Sequence, residues 1–106
     1  MVLAFHAHRA TGHEVRILSA RSDEVREATE LWLTRYREVD AAWLRRHLKM
    51  RPEGDFTSDQ VLKKSWLDEV RAGGGEVDIV YDDRQKVVGM WRANGVACFQ
   101  VAPGDF

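Results

Sequence analysis

Residues 76–106, EVDIVYDDRQKVVGMWRANGVACFQVAPGDF, constrain the fold more than any other stretch of the chain. Val77, Ile79, Val80 and Tyr81 form a short apolar run that ends on two adjacent carboxylates, Asp82 and Asp83. Val87, Val88, Met90 and Trp91 then recur at helical spacing, and Asn94 with Gly95 are helix-stop residues. Val96 to Val101 is again rich in strand formers, so the stretch predicts a strand, a helix and a second, parallel strand. A strand whose carboxyl end delivers paired aspartates into a loop before a helix is how an open α/β sheet presents a metal or phosphate site.

At 106 residues the chain has enough length for one small core with little to spare. Its 16 basic and 17 acidic residues nearly cancel, so any contact with nucleic acid or membrane must come from a local patch rather than a global field. The single cysteine, Cys98, excludes an internal disulfide and a cysteine-built zinc site, and the expected setting is a reducing, cytoplasmic one. No apolar run approaches the roughly 20 residues of a spanning helix, and no membrane partner is expected.

Before the organising stretch, the pattern predicts a helix over residues 1–11, a strand over Glu14–Leu18 and a loop at Ser19, Ala20 and Arg21. Ser22 then caps a helix that buries Val25, Ala28, Trp32 and Tyr36. Asp40 to about His47 is a second helical piece, and Leu48–Arg51 a short edge strand before the turn at Pro52, Glu53 and Gly54. Thr57 and Gln60 read as a capping box opening a helix to about Ala72, and Gly73–Gly75 end it. Alternation of this kind predicts an α/β fold with a mainly parallel sheet covered by helices on both faces.

Each chemistry-bearing residue has a plain reading beside the functional one. Asp82 and Asp83 suit magnesium, which binds through one or two carboxylates and keeps several waters; they also suit a helix start. Leu62, Trp66, Leu67 and Val70 define an apolar stripe, and at about 100° per residue Lys63 falls inside it while Lys64 points away. A lysine on a buried face calls for an anion, unless its stem packs and its ammonium reaches water. Ser19 and Arg21, at a strand's carboxyl end, suit a phosphate, although both are ordinary loop residues. Arg45, Arg46, Lys49 and Arg51, with His47 among them, are either a track for a nucleic-acid backbone or a solvated face. His6, His8 and His13 have poor spacing for a metal. The four tryptophans, Trp32, Trp43, Trp66 and Trp91, are expected in the core, as is Cys98.

The run YDDRQKVVGMWRANGVACFQVAPGDF resembles the end of the haloacid-dehalogenase-like (HAD-like) phosphatase module of phage and bacterial polynucleotide kinase/3'-phosphatases. Upstream, ILSAR resembles that family's second motif, which puts Ser19 in the phosphate-binding hydroxyl position and Arg21 in the arginine position after it. MRPEGDFTSDQVLKK resembles the approach to the third motif and places its lysine at Lys63. Asp82 and Asp83 match the fourth, the magnesium carboxylates. The resemblance implies a three-layer, Rossmann-like sandwich spanning the chain as one domain, with Ser19, Arg21, Lys63, Asp82 and Asp83 at one rim of its sheet. It also implies a Mg2+-dependent phosphomonoesterase of nucleic-acid repair acting on 3'-phosphate ends.

One departure from the family pattern matters. The family's first motif, two aspartates separated by one residue on the loop after a central strand, supplies the nucleophile and the acid/base. No aspartate pair at that spacing occurs in the sequence. The resemblance therefore implies an N-terminally truncated module lacking its central first strand and inactive alone. With its strand edges open, the isolated chain is expected to be marginally stable, to associate through those edges with a second copy or a completing polypeptide, or to pair the two strands directly. Three readings stay open: a piece of a 3'-phosphatase whose start is misassigned or whose gene is split, a non-catalytic remnant that binds phosphate, magnesium or a partner, and a small-metabolite phosphatase.

Overall fold

The computed structural model describes residue 12, residues 14–37 and residues 39–101, with the backbone alone of residues 36 and 37. The helix expected over residues 1–11, and with it His6, His8 and His13, lies outside the described residues. The chain divides into two compact units at residues 56 and 57.

The first unit is a parallel pair of strands with two helices. Strand β1, Ile17–Ser22, pairs in parallel with β2, Leu48–Arg51, in the register Ile17 to Leu48, Leu18 to Lys49 and Ser19 to Met50. The register then shifts, so that Ser22 is the next partner, of Arg51. Residues 20 and 21 are the extra length of a bulge, which locally disrupts the ladder and re-aims side chains. The strand thus starts later than Glu14 and ends later than Leu18, because its extent is set by the partner and not by its own apolar run.

Ser22 caps as expected: its Oγ accepts the Glu24 N–H at 3.3 Å. The turn it caps is a 3-10 helix, Asp23–Val25, which leads into helix α1, Arg26–Arg37. The face of α1 differs from the expected one. Val25 and Trp32 are 44% and 46% exposed and Ala28 is exposed, whereas Thr29 is buried and Leu33 packs on the core. Thr29 tolerates burial because its Oγ1 donates to the Val25 carbonyl at 2.9 Å. Trp32 is therefore not a core residue, and the side chain of Tyr36 lies outside the described set. Helix α2, Ala41–His47, is capped by Asp40, whose Oδ1 accepts the Ala42 N–H at 2.9 Å. The core of this unit is Val39, Leu44, Leu48 and Met50, with Ile17, Leu33 and Trp43 packed against it.

The second unit follows the strand, helix, strand order read from the sequence, preceded by helix α3, Asp59–Ala72. Its cap is Ser58, without a side-chain bond to the helix, and not the expected Thr57 capping box. Strand β3, Ile79–Asp82, and strand β4, Ala97–Gln100, pair in parallel with Val80 opposite Cys98 and Asp82 opposite Gln100. Helix α4, Gln85–Ala93, connects them and packs on β4 and on α3. Val87 and Val88 are fully buried and Trp91 nearly so, with Leu62, Trp66, Leu67, Val96 and Cys98 also buried. Gly95 ends α4 with φ at 78°, which lets the Val96 N–H reach the Trp91 carbonyl at 3.0 Å.

Among the described residues the strands form two two-stranded parallel sheets, β1–β2 and β3–β4, so β1 and β3 do not pair directly with each other. Each strand finds its partner within its own unit, and no described strand pairs with both β1 and β3, so neither is central. The mixed α/β class and the parallel pairing agree with the sequence reading.

Candidate functional site

The carboxyl end of β3 carries the most strongly determined group of charged side chains. Asp82, with its side chain 9% exposed, holds Lys63, 12% exposed, at 3.1 Å from Oδ2 to Nζ. Its other oxygen, Oδ1, accepts the backbone N–H groups of Asp83 at 2.8 Å and Arg84 at 3.3 Å, the two residues leading into α4. The carboxylate thus fastens the turn before the helix and fixes the lysine. A carboxylate offers about four acceptor positions, so one remains open on Asp82. Asp83 is exposed, and its side chain has no hydrogen bond or ion pair among the described residues.

The neighbouring lysine behaves differently. Lys64, 45% exposed, pairs with Asp68 one turn along its own helix at 3.0 Å. Helical geometry separates the two as the spacing predicts.

Sequence reasoning missed a second pair beside the first. Asp59, one turn before Lys63 on α3, forms an ion pair with Arg84, two residues beyond Asp82. Helix α3 therefore grips the β3–α4 turn at two points, Lys63 on Asp82 and Asp59 on Arg84. The positions 59 and 63 share a helix face, which is the signal that was available. What they meet depends on tertiary packing.

On the other unit, Ser19 and Arg21 flank the bulge of β1. The Ser19 Oγ accepts the Arg21 N–H at 3.2 Å, a short turn that takes the Arg21 amide out of the ladder. Arg51, 13% exposed on its side chain, secures the same bulge through Nε to the Ala20 carbonyl at 2.8 Å and reaches the Asp55 carbonyl at 3.2 Å. The Arg21 side chain is exposed. Of the five residues expected at one rim, the structure brings together Lys63, Asp82 and Asp83, and it places Ser19 and Arg21 at the end of β1 in their own unit.

Residues 1–106 match the family model described as the polynucleotide kinase PNKP phosphatase domain. The chain belongs to that family. Among the solved structures similar to it are two of one assembly. One is of the Pnkp1/Rnl/Hen1 RNA repair complex, with 34% identity over 99% of this chain and 32% of that chain and a TM-score of 0.84. The other, of the Pnkp1/Rnl/Hen1 complex, shows 34% identity over 99% of this chain and 35% of that one, with a TM-score of 0.85. This chain thus spans about a third of the length of the solved chains it matches.

Cys98 lies in β4 opposite Val80. Burial pushes its thiol up from the ordinary value, and the Asp82 carboxylate adds to that shift. It is a protonated core residue rather than a nucleophile. Among the described residues no three histidine, cysteine or acidic side chains converge, and no helix is long and apolar enough to cross a membrane.

Proposed function

We propose that this domain is a magnesium-dependent phosphomonoesterase module acting on nucleic-acid 3'-phosphate ends, built on a HAD-like three-layer arrangement as one domain. The observation that carries the reading is the buried Lys63 ammonium held on Asp82 at 3.1 Å beside the exposed Asp83. The ion pair supplies a fixed positive charge next to free carboxylate capacity. The donor set fits Mg2+, which takes one or two carboxylates and completes its shell with water and phosphate oxygens. It does not fit a cage of several protein ligands, consistent with the lack of three convergent ligands among the described residues.

Asp82 and Asp83 would hold the metal, which when bound would neutralise charge on a transferring phosphoryl group. Lys63 contributes a second, immobile positive charge, worth most where water is scarce and geometry is fixed in advance. Ser19 and Arg21 are the proposed phosphate-binding hydroxyl and guanidinium; the bulge held by Arg51 keeps both at the strand end. Asp59 and Arg84 are positioning residues for the turn that carries the carboxylates.

The reaction also needs a carboxylate aimed in line at phosphorus. The sequence contains no aspartate pair separated by one residue, so the 106-residue chain by itself is proposed to be inactive. The expected result is no phosphate release from a 3'-phosphorylated oligonucleotide by the purified chain at any Mg2+ concentration. A polypeptide that joins this module to a strand ending in the two aspartates is expected to complete the site. Such a polypeptide should release phosphate from 3'-phosphorylated oligonucleotides in preference to free nucleotides. In it, Lys63→Met, Asp82→Asn and Asp83→Asn should each lower kcat at least about 100-fold. Full activity in the Asp83→Asn form would overturn the assignment, and a preference for free nucleotides would favour the small-metabolite reading.

A further inference from the structure

The basic cluster at residues 45–51 is not absorbed by the proposed site, and the structure divides it. Arg51 turns inward to the Ala20 and Asp55 carbonyls. Arg45, Arg46 and Lys49 stay exposed. Arg45 and Arg46 form no hydrogen bond or ion pair among the described residues.

Cations in the last turn of a helix ordinarily answer its unsatisfied carbonyls and its dipole. Here the Trp43 and Leu44 carbonyls are served by other groups. His47 Nδ1 lies 2.8 Å from the Trp43 carbonyl, and since a carbonyl only accepts, that nitrogen carries the proton. The Leu44 carbonyl receives the Leu48 N–H, and the Arg26 guanidinium reaches the carbonyls of Leu44 and Leu48 at 3.4 and 3.0 Å. Among the described acids of this unit, Asp40 accepts the Ala42 N–H, Glu30 pairs with Arg26 and Asp55 lies 3.9 Å from Arg51. Among the described residues, therefore, no side chain answers the positive charge of Arg45 or Arg46 with an ion pair. Beside them the His47 ring stacks on Trp43 at 4.4 Å between centroids and 5° between planes, a rigid aromatic support.

We infer that the corner formed by the end of α2 and the start of β2 is a binding surface for the phosphodiester backbone of a single-stranded nucleic acid, with Arg45 and Arg46 on successive phosphates and Lys49 extending the track. Arginine forks match phosphate oxygens bidentately, and a basic groove beside aromatic rings is the general chemistry of strand binding without sequence preference. The choice of nucleic acid over another polyanion rests on the proposed function; the exposed charge of Arg45 and Arg46 does not. Neither arginine belongs to the proposed metal or phosphate site, so binding is measurable without turnover.

The test is fluorescence anisotropy of the full chain with a labelled single-stranded oligonucleotide ending in a 3'-hydroxyl, repeated with a 3'-phosphate, across a salt series. The double variant Arg45→Ala/Arg46→Ala should bind the 3'-hydroxyl strand roughly tenfold more weakly near 0.1 M salt, with the log–log salt slope reduced by about 1.4, since each single-strand phosphate contact contributes about 0.7. Arg35→Ala, an exposed cation elsewhere in the same unit, should leave affinity and slope unchanged. Unaltered affinity in the double variant, no binding by the wild-type chain, or equal competition by a polyglutamate peptide would each overturn the inference. Loss of any advantage of the 3'-phosphate over the 3'-hydroxyl strand would count against the proposed function alone and leave this surface standing.

Discussion

Lys63 and Asp82 set the energetics of the candidate site. Pairing two charges that are 12% and 9% exposed is costly to undo from one side, because the survivor keeps its burial without its counter-charge. Lys63→Met should lower the unfolding free energy by about 3 kcal/mol, the low end of the range for a broken buried pair, because Asp82 retains its two backbone N–H donors. Chemical denaturation with an unchanged m-value would check it. Lys64→Met should cost well under 1 kcal/mol, as its pair with Asp68 is solvated. That contrast was legible in the sequence, since it depends only on 100° steps against a stripe of Leu62, Trp66 and Leu67. The exposure of Trp32 was not, because an apolar residue at helical spacing says nothing about which neighbour covers it. Cys98 yields a further expectation: with its thiol pushed up by burial and by Asp82, it should react with a disulfide reagent near neutral pH only after unfolding. The sign is that of a raised acid, so its contribution to stability is full below the ordinary thiol value and declines as pH rises through the folded-state value.

The grip of α3 on the β3–α4 turn is a property of two segments rather than of any one side chain. Asp59 and Lys63 lie one turn apart on the helix, and Asp82 and Arg84 two residues apart on the turn, so either pair supports the other. Asp59→Asn should remove this ion pair and loosen the turn, seen as faster amide exchange at Asp83 and Arg84, with a stability loss of about 0.5–1 kcal/mol. Helix α4 carries a second testable feature. Trp91 is 1% exposed and its Nε1 finds no hydrogen-bond partner among the described residues. Trp91→Phe should therefore cost only about 1–2 kcal/mol, as removing an unsatisfied donor offsets part of the lost packing, whereas Trp91→Ala should cost the full 3–5 kcal/mol or so. The elements themselves were legible where local patterning decides them: α2, α4, and the parallel strands on either side of α4. The bulge at Ala20 and Arg21 was not, since a register shift is fixed by the partner strand, nor was the absent Thr57 cap, where Ser58 takes the capping position instead.

Across the whole chain, the density of matched residues from Tyr81 onward carried the family, and the match over residues 1–106 shows it. The sheet was less legible. Parallel strands pair across long separations, and nothing in an apolar run of four residues states which other run it will join. Of the outcomes expected for a sheet without its central strand, direct pairing of β1 with β3 does not occur: the described strands form two pairs, each within its own unit. The account as a whole stands on the claim that Asp82 and Asp83, with Lys63 beside them, form a divalent-cation corner. The most direct measurement is an amide NMR titration of the full chain with Mg2+, followed by trace Mn2+ to broaden signals near the ion. The account predicts saturable shifts and broadening centred on Asp82, Asp83 and Arg84, abolished in Asp82→Asn/Asp83→Asn while the rest of the spectrum is preserved. Saturating Mg2+ that leaves those amides unmoved, or Mn2+ broadening that survives the double substitution, would contradict it.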